Sequence, residues 1–224
     1  MAAQALTALE GQLDDKSQIR ILVRQYRKVV AAKIYDQIKA HFHISEPGYQ
    51  QSKVLPFLRI ESWNFTAMEN GYRDYREVIS PVSMIPKYVF RGFEKACHLE
   101  YKFDSKTEKD FAYILENDKR VLKWMRPAPN QFRIYWDSNS KLYIPDFIVE
   151  TDGAIYMIET KAGKDMESPD VVSKGKAALK YCALASAFCE KDSGKPWRYI
   201  LSPHTQISQA TSFSNIIANH SLAD

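Results

Sequence analysis

Residues 144–161 read Ile-Pro-Asp-Phe-Ile-Val-Glu-Thr-Asp-Gly-Ala-Ile-Tyr-Met-Ile-Glu-Thr-Lys, and no other stretch constrains the fold as tightly. Two runs rich in apolar and β-branched residues flank Thr151-Asp-Gly153, so a β-hairpin is expected there. Side chains alternate along a strand, which puts Ile155, Met157, Glu159 and Lys161 on one face. A carboxylate and an amine thus continue the face of a strand that otherwise reads as buried. Charge in such a place is costly unless it is paired or holds an ion. Asp146, on the preceding strand, is expected to come beside Glu159.

Around this segment the apolar spacing predicts a helix over 107–123, with Phe111, Ala112, Ile114, Leu115 and Leu122 inward. The breaker Arg126-Pro-Ala-Pro-Asn130 follows, then strands over 131–136, 141–150 and 154–161, with turns at 137–140 and 151–153. A second helix is expected over 170–190, where Val171, Gly175, Ala178, Cys182, Ala185 and Cys189 form a stripe of small residues that lets a helix lie close to a sheet. A strand over 197–201 and a helix over 205–219 close the series. Upstream, 17–42 reads as an amphipathic helix: Ile19, Leu22, Val23, Tyr26, Val30, Ile34 and Ile38 form one face, and Arg20, Arg24, Arg27, Lys28, Lys33 and Lys39 another. That basic face is either a solvated surface or a face for DNA or a neighbouring domain. Residues 47–86 are irregular and cut by prolines. Residues 1–89 are therefore expected to be a largely helical connector or accessory region, and 90–224 an α/β domain.

Two carboxylates converging beside a lysine suit phosphodiester hydrolysis. Asp146 and Glu159 would hold one or two magnesium ions, hard cations that prefer oxygen ligands and keep water. The metal would lower the pKa of bound water and offset charge developing in the transition state. Lys161 would orient the water or stabilise the phosphorane; acting as base would require a strongly lowered pKa. A plain solvated strand is the competing reading, and the strand context argues against it. Glu108, on the inward stripe of the 107–123 helix, could reach the metal, while Ser105-x-x-Glu108 also fits a capping box; the two roles are compatible.

Other chemistries are poorly supported. Three cysteines, Cys97, Cys182 and Cys189, without C-x-x-C spacing argue against a disulfide framework or a zinc site. His41-x-His43 lacks zinc geometry, and Gly-x-Ser-x-Gly and Gly-rich phosphate loops are absent. A net charge of +4 permits an anionic partner without demanding one. No apolar run reaches the roughly 18 residues of a membrane span. The opening residues lack a basic leader region, so a soluble cytoplasmic protein is expected.

The Pro145-Asp146 and Glu159-x-Lys161 motifs resemble those of the PD-(D/E)XK nuclease superfamily. More specifically, Lys123-Trp-Met-Arg-Pro-Ala-Pro-Asn-Gln-Phe132, Tyr143-Ile-Pro-Asp-Phe-Ile-Val-Glu-Thr151, Ile158-Glu-Thr-Lys161 and Gly194-Lys-Pro-Trp-Arg-Tyr199 resemble the C-terminal endonuclease domain of type III restriction enzyme Res subunits and related helicase-nucleases. The resemblance covers residues 90–205. It implies a restriction-endonuclease-like core, a mixed central sheet flanked by helices, acting on double-stranded DNA with Mg2+, for which Mn2+ would substitute. It implies Asp146 and Glu159 as metal ligands together with the Thr160 backbone carbonyl, Lys161 as the catalytic lysine and Glu108 as the supporting acid. Lys174, Lys176 and Lys180 are candidates for contact with DNA, against a solvated face as the plainer reading. An ATP-dependent helicase/translocase portion and a DNA methyltransferase subunit are the implied partners, the latter carrying site choice. This chain has no Gly-x-x-x-x-Gly-Lys-[Ser/Thr] loop, so no ATP site is expected in it. It is expected to be a fragment or a stand-alone relative of such subunits. The alternative is a catalytically silent DNA-binding or assembly module on the same fold.

Overall fold

The computed structural model describes residues 16–41, 59–69, 71–136 and 141–220. The expected turn at 137–140, and His43 of the His41-x-His43 pair, lie outside them. The chain divides into two compact units, residues 1–51 and 52–224.

In the first unit α1 (Lys16–His41) forms where the apolar spacing predicts it, with non-helical backbone at Tyr26 (φ −108°, ψ 18°). Of its apolar stripe, Tyr26 and Ile34 are exposed, as are the basic residues Arg24, Arg27, Lys28 and Lys33.

The second unit is mixed α/β. A small sheet pairs β1 (Tyr72–Asp74) parallel to β2 (Val89–Arg91), and β2 antiparallel to β3 (Glu100–Tyr101). Gly92 follows β2 at φ 90°, a left-handed conformation natural to glycine, and a Cβ there would lie 2.7 Å from Asp74 Oδ2. The main sheet has the order β4 (Val121–Met125), β7 (Phe147–Thr151), β8 (Ile155–Lys161), β9 (Trp197–Pro203). β7 is antiparallel to both β4 and β8, and β9 is parallel to β8. A parallel pair needs a crossover, and α3 (Pro169–Glu190) supplies it. β5 (Ile134–Trp136) and β6 (Lys141–Tyr143) form a separate antiparallel pair.

Both faces of the main sheet are covered. On one face Trp124, Phe147, Val149, Tyr156, Ile158 and Ile200 pack with Phe111 and Leu115 of α2 (Lys106–Asn117), with Phe213 and Ile216 of α4 (Phe213–His220), and with Phe90, Tyr101 and Phe103. On the other, Met125, Ile148 and Met157 pack with Ala178, Cys182 and Ala185 of α3 and with Ile134, Trp136 and Tyr143 of the β5–β6 pair. The expected small-residue stripe of α3 is thus the face laid on the sheet. Burial of Lys109, Asp110 and Glu116 on α2 is matched by partners: Glu116 accepts the N–H groups of Glu94 and Lys95 and the Trp124 indole N–H at 2.7 Å.

Several expected boundaries change. The two compact units divide at 51/52, and aromatic residues of 75–103 pack into the core on one face of the main sheet. Of the described residues before 90, 16–41 are helical, while 72–89 carry β1, the start of β2 and a 3-10 turn at Val82–Lys87. The helix predicted over 107–123 ends at Asn117, since Asp118 leaves helical geometry (φ −77°, ψ 127°) with its carboxylate accepting the N–H groups of Arg120 and Phe213. Leu122 then lies in β4, exposed. The run 141–150 is two strands, because Pro145 has no N–H for a ladder and the chain changes partner there from β5 to β8. The last helix begins late, at Phe213, where Ser212 Oγ accepts the Asn215 N–H. Among the described residues no helix is long and apolar enough to cross a membrane.

Candidate functional site

The expected charged residues meet at one end of the main sheet. Met157 is fully buried under α3, and Glu159, two residues on and on the same face, is only 4% exposed. Lys161 Nζ lies 2.7 Å from Glu159 Oε1. The other carboxylate oxygen, Oε2, is buried and has no hydrogen-bond partner.

Asp146 sits in the link between β6 and β7, just before the strand and not on it. The register Phe147↔Ile158 puts it opposite Glu159. Its Oδ2 accepts the Thr160 amide at 2.7 Å and the Thr160 hydroxyl at 2.8 Å. β7 pairs with β8 only as far as Ile158, so beyond that point the Asp146 side chain takes the place of a strand neighbour. The N–H and C=O of one strand residue point to the same edge, so the Thr160 carbonyl leaves β8 on the edge where Asp146 lies.

Glu108 stands in the first turn of α2. Its amide donates to Ser105 Oγ at 3.1 Å, and its Oε2 accepts the Asp104 N–H at 2.9 Å. The capping role read from Ser105-x-x-Glu108 is therefore present, with Asp104 as the reciprocal donor. The same Oε2 lies 3.0 Å from Arg126 Nη2. Arg126, just past β4, is 8% exposed, stands over the rings of Phe103 and Phe147, and donates from Nη1 to the Lys102 carbonyl. In the sequence Arg126 stands in the breaker and in one stretch of the resemblance, with no role at the site assigned to it; the one further signal is a lone arginine between the buried strand residues and Pro127.

These charges feel one another. Burial, and then the charge of Asp146, push the Glu159 carboxyl above the usual carboxylate range, against the pull of Lys161. Burial also raises Glu108, opposed by Arg126 and the Asp104 N–H. For Lys161 burial works against the ammonium, but Glu159, Asp146 and Glu108 together outweigh it and raise its pKa. Lys161 is accordingly a cation held among carboxylates, suited to orienting and charge stabilisation rather than to accepting a proton.

Of the expected DNA-contact lysines, Lys174 places Nζ 5.0 Å from the centre of the Trp136 ring, with Lys141 at 5.1 Å. Lys176 and Lys180 are exposed. Among the described residues no three His, Cys, Asp or Glu side chains form a ready-made metal group. A magnesium ion does not require one, since it is bound through one or two carboxylates and retains waters. The unpartnered Glu159 oxygen beside Asp146 is the feature such an ion fits. No family model and no curated protein matches this chain.

Proposed function

We propose that residues 90–224 contain a restriction-endonuclease-like core, and that the chain is a metal-dependent endonuclease hydrolysing phosphodiester bonds of double-stranded DNA. In this reading it is the cleavage module of a type III restriction-like helicase-nuclease, working with a motor and a methyltransferase. The observation that carries the reading is the convergence of two carboxylates and a lysine: Glu159, 4% exposed, faces Asp146 across the β7–β8 register and lies 2.7 Å from Lys161 Nζ. A divalent cation bound there supplies Lewis-acid polarisation and an acidified water. Asp146 and Glu159 would hold it, with the Thr160 carbonyl on the same strand edge. Lys161 stays protonated, orients the attacking water and offsets charge on the scissile phosphate. Glu108 steadies the approach of α2 through Arg126 and adds negative potential on the side of Asp146.

The test is supercoiled plasmid with Mg2+ or Mn2+ against EDTA. Asp146→Asn is the informative variant, because it keeps an oxygen for the Thr160 amide while removing charge. Loss of about 3 kcal/mol of transition-state stabilisation corresponds to a rate fall of roughly a hundredfold; Asp146→Asn and Lys161→Ala are expected to lose at least that much. Absence of cleavage by the wild-type chain, alone and with motor and methyltransferase supplied, would leave a silent DNA-binding module and sink the proposal.

A further inference from the structure

Behind Glu159 lies a second group of buried polar atoms. The hydroxyls of Tyr143 and Tyr199, like Glu159 Oε2, are out of solvent and without a hydrogen-bond partner. Their positions follow from the strand registers. Tyr199 on β9 pairs with Met157, and Leu201 pairs with Glu159, so Tyr199 is the diagonal neighbour of Glu159 on the α3 face of the sheet. Diagonal neighbours in a sheet are within reach of a long aromatic side chain. Tyr143 comes from the far side, at the end of β6, and is 1% exposed within the same cluster. Tyr143 is close enough to interact with Glu159, and Tyr199 with Tyr143, although neither contact closes into a hydrogen bond. Gly175 of α3 stands over Tyr199, whose ring carbon Cε1 would lie 3.6 Å from an added Cβ.

Buried hydroxyls and carboxylates in proteins almost always find partners, and leaving one unmet costs about 1–3 kcal/mol. Two phenols and a carboxylate oxygen in one apolar pocket are complementary: each phenol can donate once and accept, and the carboxylate only accepts. We propose that Tyr143 and Tyr199 are positioning residues for Glu159, with the Tyr143 hydroxyl donating to Oε2 and the Tyr199 hydroxyl donating to the Tyr143 oxygen. Lys161 then holds one carboxylate oxygen and Tyr143 the other, which fixes the plane of the group. A carboxylate has about four acceptor positions, so two remain for a cation. The tyrosines touch neither substrate nor cation, and their effect passes through Glu159. This inference rests on the proposal that Glu159 binds a divalent cation.

Tyr143→Phe and Tyr199→Phe keep the ring packing and remove only the hydroxyls. The probe is Mn2+, with binding followed by calorimetry or by the electron spin resonance signal of the free ion. Thermal melting in EDTA is measured alongside. Outer partners of metal ligands are worth roughly 10–100-fold in affinity, so Tyr143→Phe is expected to weaken Mn2+ binding about tenfold without a comparable fall in melting temperature. Tyr199→Phe, one step further out, is expected to have a smaller effect of the same sign. In a Glu159→Gln background Tyr143→Phe should change Mn2+ affinity no further. Equal Mn2+ affinity in wild type and Tyr143→Phe would overturn the inference while leaving the cation site intact. An effect of Tyr143→Phe that persists in the Glu159→Gln background would overturn it too. A wild-type chain that binds no Mn2+ would overturn the nuclease reading and this inference with it.

Discussion

Replacing Arg126 with methionine isolates the contribution of one buried ion pair at the rim of the site. The Arg126 and Glu108 side chains are 10% and 14% exposed and 3.0 Å apart. An exposed pair in this geometry would contribute about 0–1 kcal/mol. Removing one partner of a buried pair costs about 3–5 kcal/mol, because the other charge is left without compensation. Glu108 would retain the Asp104 N–H, which argues for the lower part of that range. The Lys102 carbonyl would lose its guanidinium donor, adding about 1 kcal/mol. The expected loss at neutral pH is therefore roughly 3–4 kcal/mol. The loss should also depend on pH. Burial already raises the Glu108 carboxyl despite Arg126, and without Arg126 it rises further. A raised folded-state pKa means that the native form holds a proton the unfolded chain releases, so that stability is present below the unfolded value and lost as pH rises through the folded one. Urea unfolding at about pH 5 and about pH 8 should thus give the smaller deficit at the acidic pH, where Glu108 is closer to neutral. A deficit below about 1 kcal/mol, or one that does not grow between these pH values, would refute the claim that the pair is energetically buried.

Other variants probe separate features. Glu116→Gln keeps the shape but turns an amide nitrogen toward one of three donors, and is expected to cost about 1–3 kcal/mol by chemical denaturation; an unchanged midpoint would refute it. Gly175→Ala should stabilise the protein by about 0.5–1 kcal/mol, because the added methyl meets Tyr199 only at ordinary contact distance, 3.6 Å; a lower melting temperature would show that α3 sits closer to the sheet than this. Burial pushes the Cys182 thiol up to about 12, so mass spectrometry after thiol labelling at neutral pH should find Cys97, which is exposed, modified and Cys182 untouched until denaturant is added. Cys182→Ser should lower stability through the α3–sheet contact without a matching loss of any plasmid cleavage, and activity loss with unchanged melting would contradict that.

Asp146, Glu159 and Lys161 were legible because two-residue periodicity and one short turn decide which side chains share a face. The pairing Phe147↔Ile158 follows from a two-residue Asp152-Gly153 loop closed by Thr151 and Ala154, one residue shorter than the three-residue turn expected at 151–153. Arg126 and the two tyrosines were not legible, since nothing local joins Arg126 to Glu108 or Tyr143 to Tyr199; the long-range arrangement of β4, β6 and β9 does. β4 was mistaken for the end of a helix because Leu122 continues the three-to-four spacing of α2 in sequence, and only the geometry of Asp118 breaks it. Strands of two or three residues, as in β1 to β3, are too short to show a period at all. Their membership of the core comes from aromatic packing, with Tyr101 stacked on Trp124 at 5.1 Å between ring centres.

The hydrogen bond from the Thr160 amide to Asp146 couples the chemistry of the site to the backbone of β8. A strand edge is normally closed by another main chain, whose acceptors are neutral and always present. Here the acceptor is a side chain whose charge and orientation depend on what else it binds. The Thr160 amide is therefore a natural reporter: its hydrogen-exchange rate and nitrogen-15 shift should follow the state of Asp146 residue by residue. An alanine at 146 would open the edge of β8 as well as remove a carboxylate, so that variant would confuse a loss of chemistry with local fraying, and asparagine would separate the two.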